Sequence, residues 1–217
     1  MIPLVAIVGR SDSGKTVLLA QLVAELKQRG HKIAVIKHAS KDFDMDQEGK
    51  DSWRLTKAGA DLVSVSSPEK LFSIRSMNRE VDPEEIRRFV GSDFDLILTE
   101  GFHASKAPKI EVHRGESGHG LLCDPEQLLA VVSDDVLDVK VPRYSKDDVG
   151  RLADFIEHRF LSEQGEEVTL FVNGRLIALS PSVEEILSRT LKDMVSVLDD
   201  VGDVDKLDIW LNSRVED

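Results

Sequence analysis

The sequence predicts an α/β fold: a doubly wound, mostly parallel sheet over residues 1–163, followed by a small ββαβ module over residues 166–217. Three observations predict it. Leu4 to Val8 is an unbroken apolar run that ends in glycine, as a strand buried on both faces does. A glycine-rich phosphate loop, Gly9-Arg10-Ser11-Asp12-Ser13-Gly14-Lys15-Thr16, stands between that strand and a segment of helical periodicity. Strands and helices then alternate as far as residue 160, the pattern of an α/β sheet with crossover helices.

The elements follow in order. Leu18, Leu19, Leu22, Val23 and Leu26 give Val17 to Arg29 a helical stripe, and Gly30 sits where a C-terminal cap belongs. Lys32 to Lys37 reads as a second strand, closing a βαβ unit. After a polar stretch from His38 to Asp51, Ser52 to Ala58 reads as a short helix stopped by Gly59. Asp61 to Ser66 and Leu71 to Arg75 read as short strands around Ser67-Pro68. Asp82-Pro83-Glu84-Glu85 is a helix start, with an N-cap, a first-turn proline and early acids. Phe94 to Thr99, Lys109 to Val112 and Leu128 to Val132 are three more buried strands, and Ser145 and Asp148 open a helix through Leu152, Phe155 and Ile156. Beyond the polar break at Glu163 to Glu167 the pattern changes. Two strands, Val168 to Val172 and Arg175 to Leu179, flank Asn173-Gly174, a strong hairpin signal. Ser182-Val183-Glu184-Glu185 reads as a capping box for a helix, and Lys206 to Leu211 alternates as a last strand.

Composition narrows the function classes. A net charge of -12 disfavours broad nucleic-acid binding, because an acidic surface repels phosphate backbones. A single cysteine, Cys123, makes no intrachain disulfide and no cysteine-rich zinc site, and fits a reducing compartment. The opening residues lack a basic region and a small-residue cleavage site, so they read as a strand and not as a signal peptide. No apolar run approaches the ~18 residues needed to span a bilayer. The expectation is a cytoplasmic protein without nucleic-acid or membrane partners.

The glycine loop carries the chemistry. Gly9 and Gly14 permit tight turns, so that the amides of Asp12 to Thr16 point into one concavity backed by the positive end of a helix. Lys15 reaches the β- and γ-phosphates of a nucleoside triphosphate, and the Thr16 hydroxyl is placed for Mg²⁺. Such a site needs an acidic residue at the end of a neighbouring buried strand. Asp95 opens the run Leu96 to Thr99 and lies at the far end; Glu100 closes it at the carboxyl edge, as metal ligand or water contact. Lys15 and Glu100 are thus the candidate catalytic groups.

Lys37-His38 ends the second strand at the same edge and opens a charged loop where phosphate-loop proteins place switch-like segments. Asp46 is a candidate contact to Mg²⁺ through a water, Lys37 and Lys50 are candidate phosphate contacts, and His38 is a hydrogen-bonding candidate. For base selection, Leu129 to Val132 runs into Ser133-Asp134-Asp135, and an Asp134 carboxylate there can accept from guanine N1–H and N2–H₂. Arg10, within the loop, is the one candidate for an arginine supplied in cis, and isolated turnover is expected to be slow.

In combination the motifs resemble the molybdopterin-guanine dinucleotide biosynthesis protein B (MobB) family. The elements that carry the likeness are Ile36-Lys37-His38 with Asp42-Phe43-Asp44 and Asp46; Gly49-Lys50-Asp51-Ser52 with Arg54 and Ala58-Gly59-Ala60; Glu100-Gly101-Phe102; and Pro108-Lys109-Ile110-Glu111-Val112 with Arg114. They extend over about residues 2 to 160. The resemblance implies a GTP- and Mg²⁺-binding protein that assists a MobA-type guanylyltransferase in attaching GMP to molybdopterin. It further implies slow GTPase activity, a homodimer and a possible contact with the molybdopterin cofactor itself. It carries over Gly9 to Thr16 as the phosphate loop, Thr16 and Glu100 as the metal residues, and Lys37, His38, Asp44, Asp46 and Lys50 as the switch-like loop. The chain departs from the family pattern at Ala39-Ser40-Lys41, where relatives carry further histidines, and in its tail from about residue 166. The competing reading is a phosphate-loop kinase of a small metabolite, which would need an arginine-rich lid; Arg75, Arg79, Arg87 and Arg88 are scattered.

Overall fold

The computed structural model describes residues 2–39, 46–91, 93–115, 120–161, 168, 170–172, 175–198, 202, 204, 207 and 209. The chain divides into two compact units, Ile2–Ser162 and Glu163–Asp217 with Met1.

In the first unit β1 (Leu4–Val8) runs through the glycine loop into α1 (Lys15–Gln28) and β2 (Ile33–Lys37). Then come α2 (Asp51–Lys57), the hairpin β3 (Leu62–Ser66) and β4 (Leu71–Arg75), and α3 (Pro83–Val90). The chain continues through β5 (Leu96–Glu100), β6 (Lys109–Val112), β7 (Leu128–Val132), β8 (Arg143–Tyr144) and α4 (Val149–Ile156). Six strands form one sheet in the order β2-β5-β1-β6-β7-β8, and every neighbouring pair is parallel. This is the doubly wound α/β fold that the alternation of strands and helices predicts. The chain leaves β1 for β2 on one side, fills the gap with β5, then crosses to β6 on the other. The order therefore reverses at β1, and a parallel sheet of this kind binds ligands beyond the carboxyl ends of its strands at that point.

β1 is buried on both faces, which is why it reads as a continuous apolar run. Val5 and Ile7 face Leu18, Leu22 and Leu26 of α1 and Leu152 and Ile156 of α4. Leu4, Ala6 and Val8 face Ile97, Phe102, Cys123 and Val131, with Ile86 and Val90 of α3 alongside. Leu22 and Leu26 are fully buried, and each contributes ~1.5–3 kcal/mol by leaving water. Arg29, at the C-cap of α1, fastens that helix to α4: its guanidinium donates to Glu25, Asp154 and Glu157 and to the Gly150 carbonyl. Those three carboxylates raise the Arg29 pKa above its ordinary value. Glu157 also pairs with His31 Nε2 at 2.6 Å. Burial opposes its charge, but the hydrogen bonds from His31 and Arg29 outweigh burial and hold the carboxyl below the ordinary glutamate range.

The helix start at Asp82 forms as the sequence implies, with its side chain accepting from the Glu84 amide at 2.9 Å. Several boundaries differ, and one strand is unannounced. α1 begins at Lys15, because Gly14 in a left-handed conformation is its N-cap. β5 runs on through Glu100, which is still paired with Ile7 and Lys37. The two-residue β8 has no apolar run to announce it.

In the second unit β9 (Leu170–Val172) and β10 (Arg175–Ile177) pair antiparallel, and α5 (Pro181–Ser196) follows. Its N-cap is Ser180 rather than Ser182, because Pro181 has the fixed φ that suits a first helical position. The turn residues Asn173 and Gly174 lie outside the described residues, as does most of the strand expected at Lys206 to Leu211; Leu207 and Ile209, which are described, belong to no strand. Among the described residues no helix is long and apolar enough to cross a membrane.

Candidate functional site

The site starts where β1 stops. Gly9 takes a φ of +146°, and a Cβ there would lie 2.4 Å from the Val112 carbonyl oxygen and 2.9 Å from Ser13 Oγ. Only glycine lets the loop rest against the end of β6. Asp12 is left-handed at +61° although it carries a side chain, a local strain of the kind that clusters at ligand sites. Gly14 caps α1 with no side-chain oxygen, the first turn holds no acid, and nothing lies within 4 Å of where a Gly14 Cβ would be. The leading amides of α1 are thus left to an anion approaching along the helix axis. The hydroxyl of Ser13 is buried without a hydrogen-bond partner among the described residues. Lys15 is folded back, its Nζ donating to the Arg10 carbonyl at 2.6 Å. Arg10 to Ser13 and the end of β6 from Glu111 to Arg114 line a cavity of ≈ 260 Å³.

The register of the sheet brings up the next group. Ile7, Glu100 and Lys37 lie abreast on β1, β5 and β2. Glu100 shares a strand face with Leu96 and Leu98, the face covered by α1, so its carboxylate meets the first turn of that helix. Thr16 Oγ1 donates to Glu100 Oε1 at 2.9 Å, and Lys37 Nζ donates to the same oxygen at 3.0 Å. A hydroxyl and a carboxylate beside open helix amides fit Mg²⁺, a hard cation that takes one or two protein oxygens and completes its shell with phosphates and water.

His38 is tied to the same strand end in three ways. Its amide donates to the Glu100 carbonyl at 2.9 Å, its ring lies 4.7 Å from that of Phe102, and Nε2 meets Glu80 Oε1 at 2.8 Å. Gly101, at φ +98°, is needed here too, since a Cβ would come within 2.9 Å of His38 Cβ. Of the loop residues, Asp44 lies outside the described residues. Asp46 Oδ1 accepts from Ser52 Oγ and the Gln47 amide, and Lys50 is the N-cap of α2, so both stand at the head of that helix.

Asp134 lies past the end of β7 and lines a second cavity, of ≈ 340 Å³, together with Tyr144, Ser145 and Arg151. Its Oδ1 accepts from the Lys146 amide and from Ser145 Oγ, and Lys146 Nζ lies 3.2 Å from Oδ2. The Lys146 amide, then the Lys146 and Ser145 side chains, lower its pKa, so the carboxylate is ionised and fixed in orientation.

Several partners escape sequence reading. Glu80, which holds His38, sits in a stretch without periodicity. Ser145 and Lys146, which hold Asp134, look only like residues before a helix. Glu111 is buried on the face away from α1, accepting from the Leu122 and Cys123 amides, and Lys109 donates to the Ser105 and Ala107 carbonyls. Two charged residues inside an otherwise apolar strand are the signal that could have marked them as pins for the loops on either side of β6.

With this geometry in hand, comparison with known proteins gives one answer. A model of the family described as molybdopterin guanine dinucleotide synthesis protein B matches residues 4–134. A molybdopterin-guanine dinucleotide biosynthesis adapter protein of Haemophilus influenzae is 36% identical over 158 residues, which is 72% of this chain and 89% of that one. The protein of the same description from Escherichia coli is 37% identical over 177 residues, 76% of this chain and 97% of that one. A crystal structure of molybdopterin-guanine biosynthesis protein B superimposes with a TM-score of 0.59 at 34% identity, covering 73% of this chain and 99% of its own. The chain belongs to the molybdopterin guanine dinucleotide synthesis protein B family.

Proposed function

We propose that this chain is a GTP-binding adapter in the synthesis of molybdopterin guanine dinucleotide, assisting a guanylyltransferase of the MobA type that joins GMP to molybdopterin. The observation that carries the nucleotide half of this reading is the Thr16–Glu100 contact at the mouth of an uncapped glycine loop. The adapter half rests on the family and on the curated relatives. In this reading the amides of Asp12 to Thr16 hold the phosphates, and Lys15 leaves the Arg10 carbonyl to reach the β- and γ-oxygens. Thr16, with its proton on Glu100, would offer Mg²⁺ a hydroxyl lone pair. The ion would supply charge neutralisation to the phosphates. Asp134, oriented by Ser145 and Lys146, accepts from the guanine edge. Hydrolysis by the isolated chain is slow, because its contribution is charge and positioning. The working form is a cytoplasmic homodimer, molybdopterin is a second candidate ligand, and residues 166–217 act as an appended module.

The test is nucleotide binding and stimulation of GMP transfer, with wild-type protein and Lys15→Ala. GTP should bind with Mg²⁺ and outcompete ATP, transfer by the partner enzyme should rise, and Lys15→Ala should lose both effects. Tighter binding of ATP with no change in transfer would overturn the proposal. Phosphoryl transfer to a metabolite above about 1 s⁻¹ would replace it with a kinase.

A further inference from the structure

One cation at the site has no part in the reading above. Lys37 ends β2, two strands away from the glycine loop, yet its ammonium shares Glu100 Oε1 with the Thr16 hydroxyl. The two partners differ in freedom: the Lys37 side chain is 61% exposed, whereas that of Glu100 is 12% exposed. The carboxylate is fixed and the lysine can swing. A γ-phosphate oxygen seated beside Thr16 Oγ1 would come within reach of an ammonium that already shares Glu100 Oε1 with that hydroxyl. That ammonium cannot comfortably stay where it is, because a divalent cation beside the same carboxylate repels it. The γ-phosphate, whose charge Lys15 and Mg²⁺ neutralise only in part, then offers it an acceptor.

We propose that Lys37 is a second triphosphate-reading cation. It neutralises Glu100 when the site holds no nucleotide and moves to the γ-phosphate when Glu100 turns to Mg²⁺. This rests on the nucleotide-binding reading of the site and adds a function to it: discrimination between tri- and diphosphate at the base of the loop that begins with His38. A diphosphate brings no γ-oxygen, so Lys37 gains no partner on it. Because the His38 amide donates to the Glu100 carbonyl, and its ring packs on Phe102 and pairs with Glu80, the exchange reaches the start of the loop by one residue of main chain.

The experiment compares the affinity of a non-hydrolysable GTP analogue with that of GDP, in Mg²⁺, for wild type, Lys37→Ala and Lys37→Arg, with thermal melts to show that each variant is folded. Lys37→Ala should weaken the triphosphate about tenfold or more, the loss of one charge-assisted hydrogen bond, and leave GDP within about twofold. Lys37→Arg should restore most of the triphosphate affinity. If Lys37 only buttresses Glu100, both nucleotides weaken together, and that result overturns the inference, as does an unchanged triphosphate affinity. If wild-type protein binds neither nucleotide, the reading of the whole site falls and this inference with it.

Discussion

Replacing Gly9 by alanine tests the floor of the glycine loop directly. Two costs add. An L-residue at φ +146° is strained by about 1–3 kcal/mol. The new Cβ also lies 2.4 Å from the Val112 carbonyl oxygen, where van der Waals contact begins about 1 Å further out, so either the loop or the end of β6 must move. Overpacking of that kind costs about 1–3 kcal/mol more, which puts the total at about 2–6 kcal/mol against a stability of about 5–15 kcal/mol for a domain. Gly14→Ala is the control. It has the backbone strain of φ +97° but meets nothing within 4 Å, so about 1–3 kcal/mol is its whole cost. Urea denaturation of both variants without nucleotide separates the two terms. Gly9→Ala should fall well below Gly14→Ala. If the two agree within about 0.5 kcal/mol, the loop does not rest on β6 and the argument from Val112 is wrong.

Two further outcomes follow from the same contacts. Asp134→Asn turns an acceptor into a donor, so it should shift preference from GTP towards xanthosine triphosphate, whose C2 carbonyl accepts, by about ten- to a hundredfold in competition binding; unchanged selectivity would remove Asp134 from base reading. Glu157→Gln should destabilise the fold by about 1–3 kcal/mol near neutral pH, since Arg29 and His31 lose a shared partner. The wild-type carboxyl has a depressed pKa, so its contribution is complete above about pH 4.3 and is lost as pH falls through the lower folded value. Acid titration of the melting temperature should therefore be shallower in the variant over that window.

What could be read from the sequence was what a local pattern encodes. Leu4 to Val8, the glycine loop and the stripe of α1 announce themselves because a doubly buried strand, a turn and an amphipathic helix each have their own period. Glu100 was legible for a related reason: an acid that ends an apolar run must sit at a sheet edge. Strand order was not legible. That β5 lies between β2 and β1, and so brings Lys37, Glu100 and Thr16 onto one oxygen, depends on strand pairings between residues 63 and 93 positions apart. Asp134 could be picked out as a strand-end acid, but its partners across the short β8 could not, since two residues carry no periodicity. The cap of α5 shows the limit of motif reading within a helix start. Ser182 satisfies a capping box by spacing, yet Pro181 moves the boundary back to Ser180.

The insertion of β5 also bears on how the site comes into being. On a ribosome β1, the glycine loop, α1 and β2 emerge first, but neither long side of β1 has its partner, because those strands are β5 and β6. The carboxylate that meets Thr16 comes with residue 100 and the floor beneath Gly9 with residue 112. A fragment that ends after the βαβ unit would contain every letter of the glycine motif and none of the walls that shape it. The shape of the glycine loop is a property of the assembled sheet, and it cannot be excised or grafted as a short peptide.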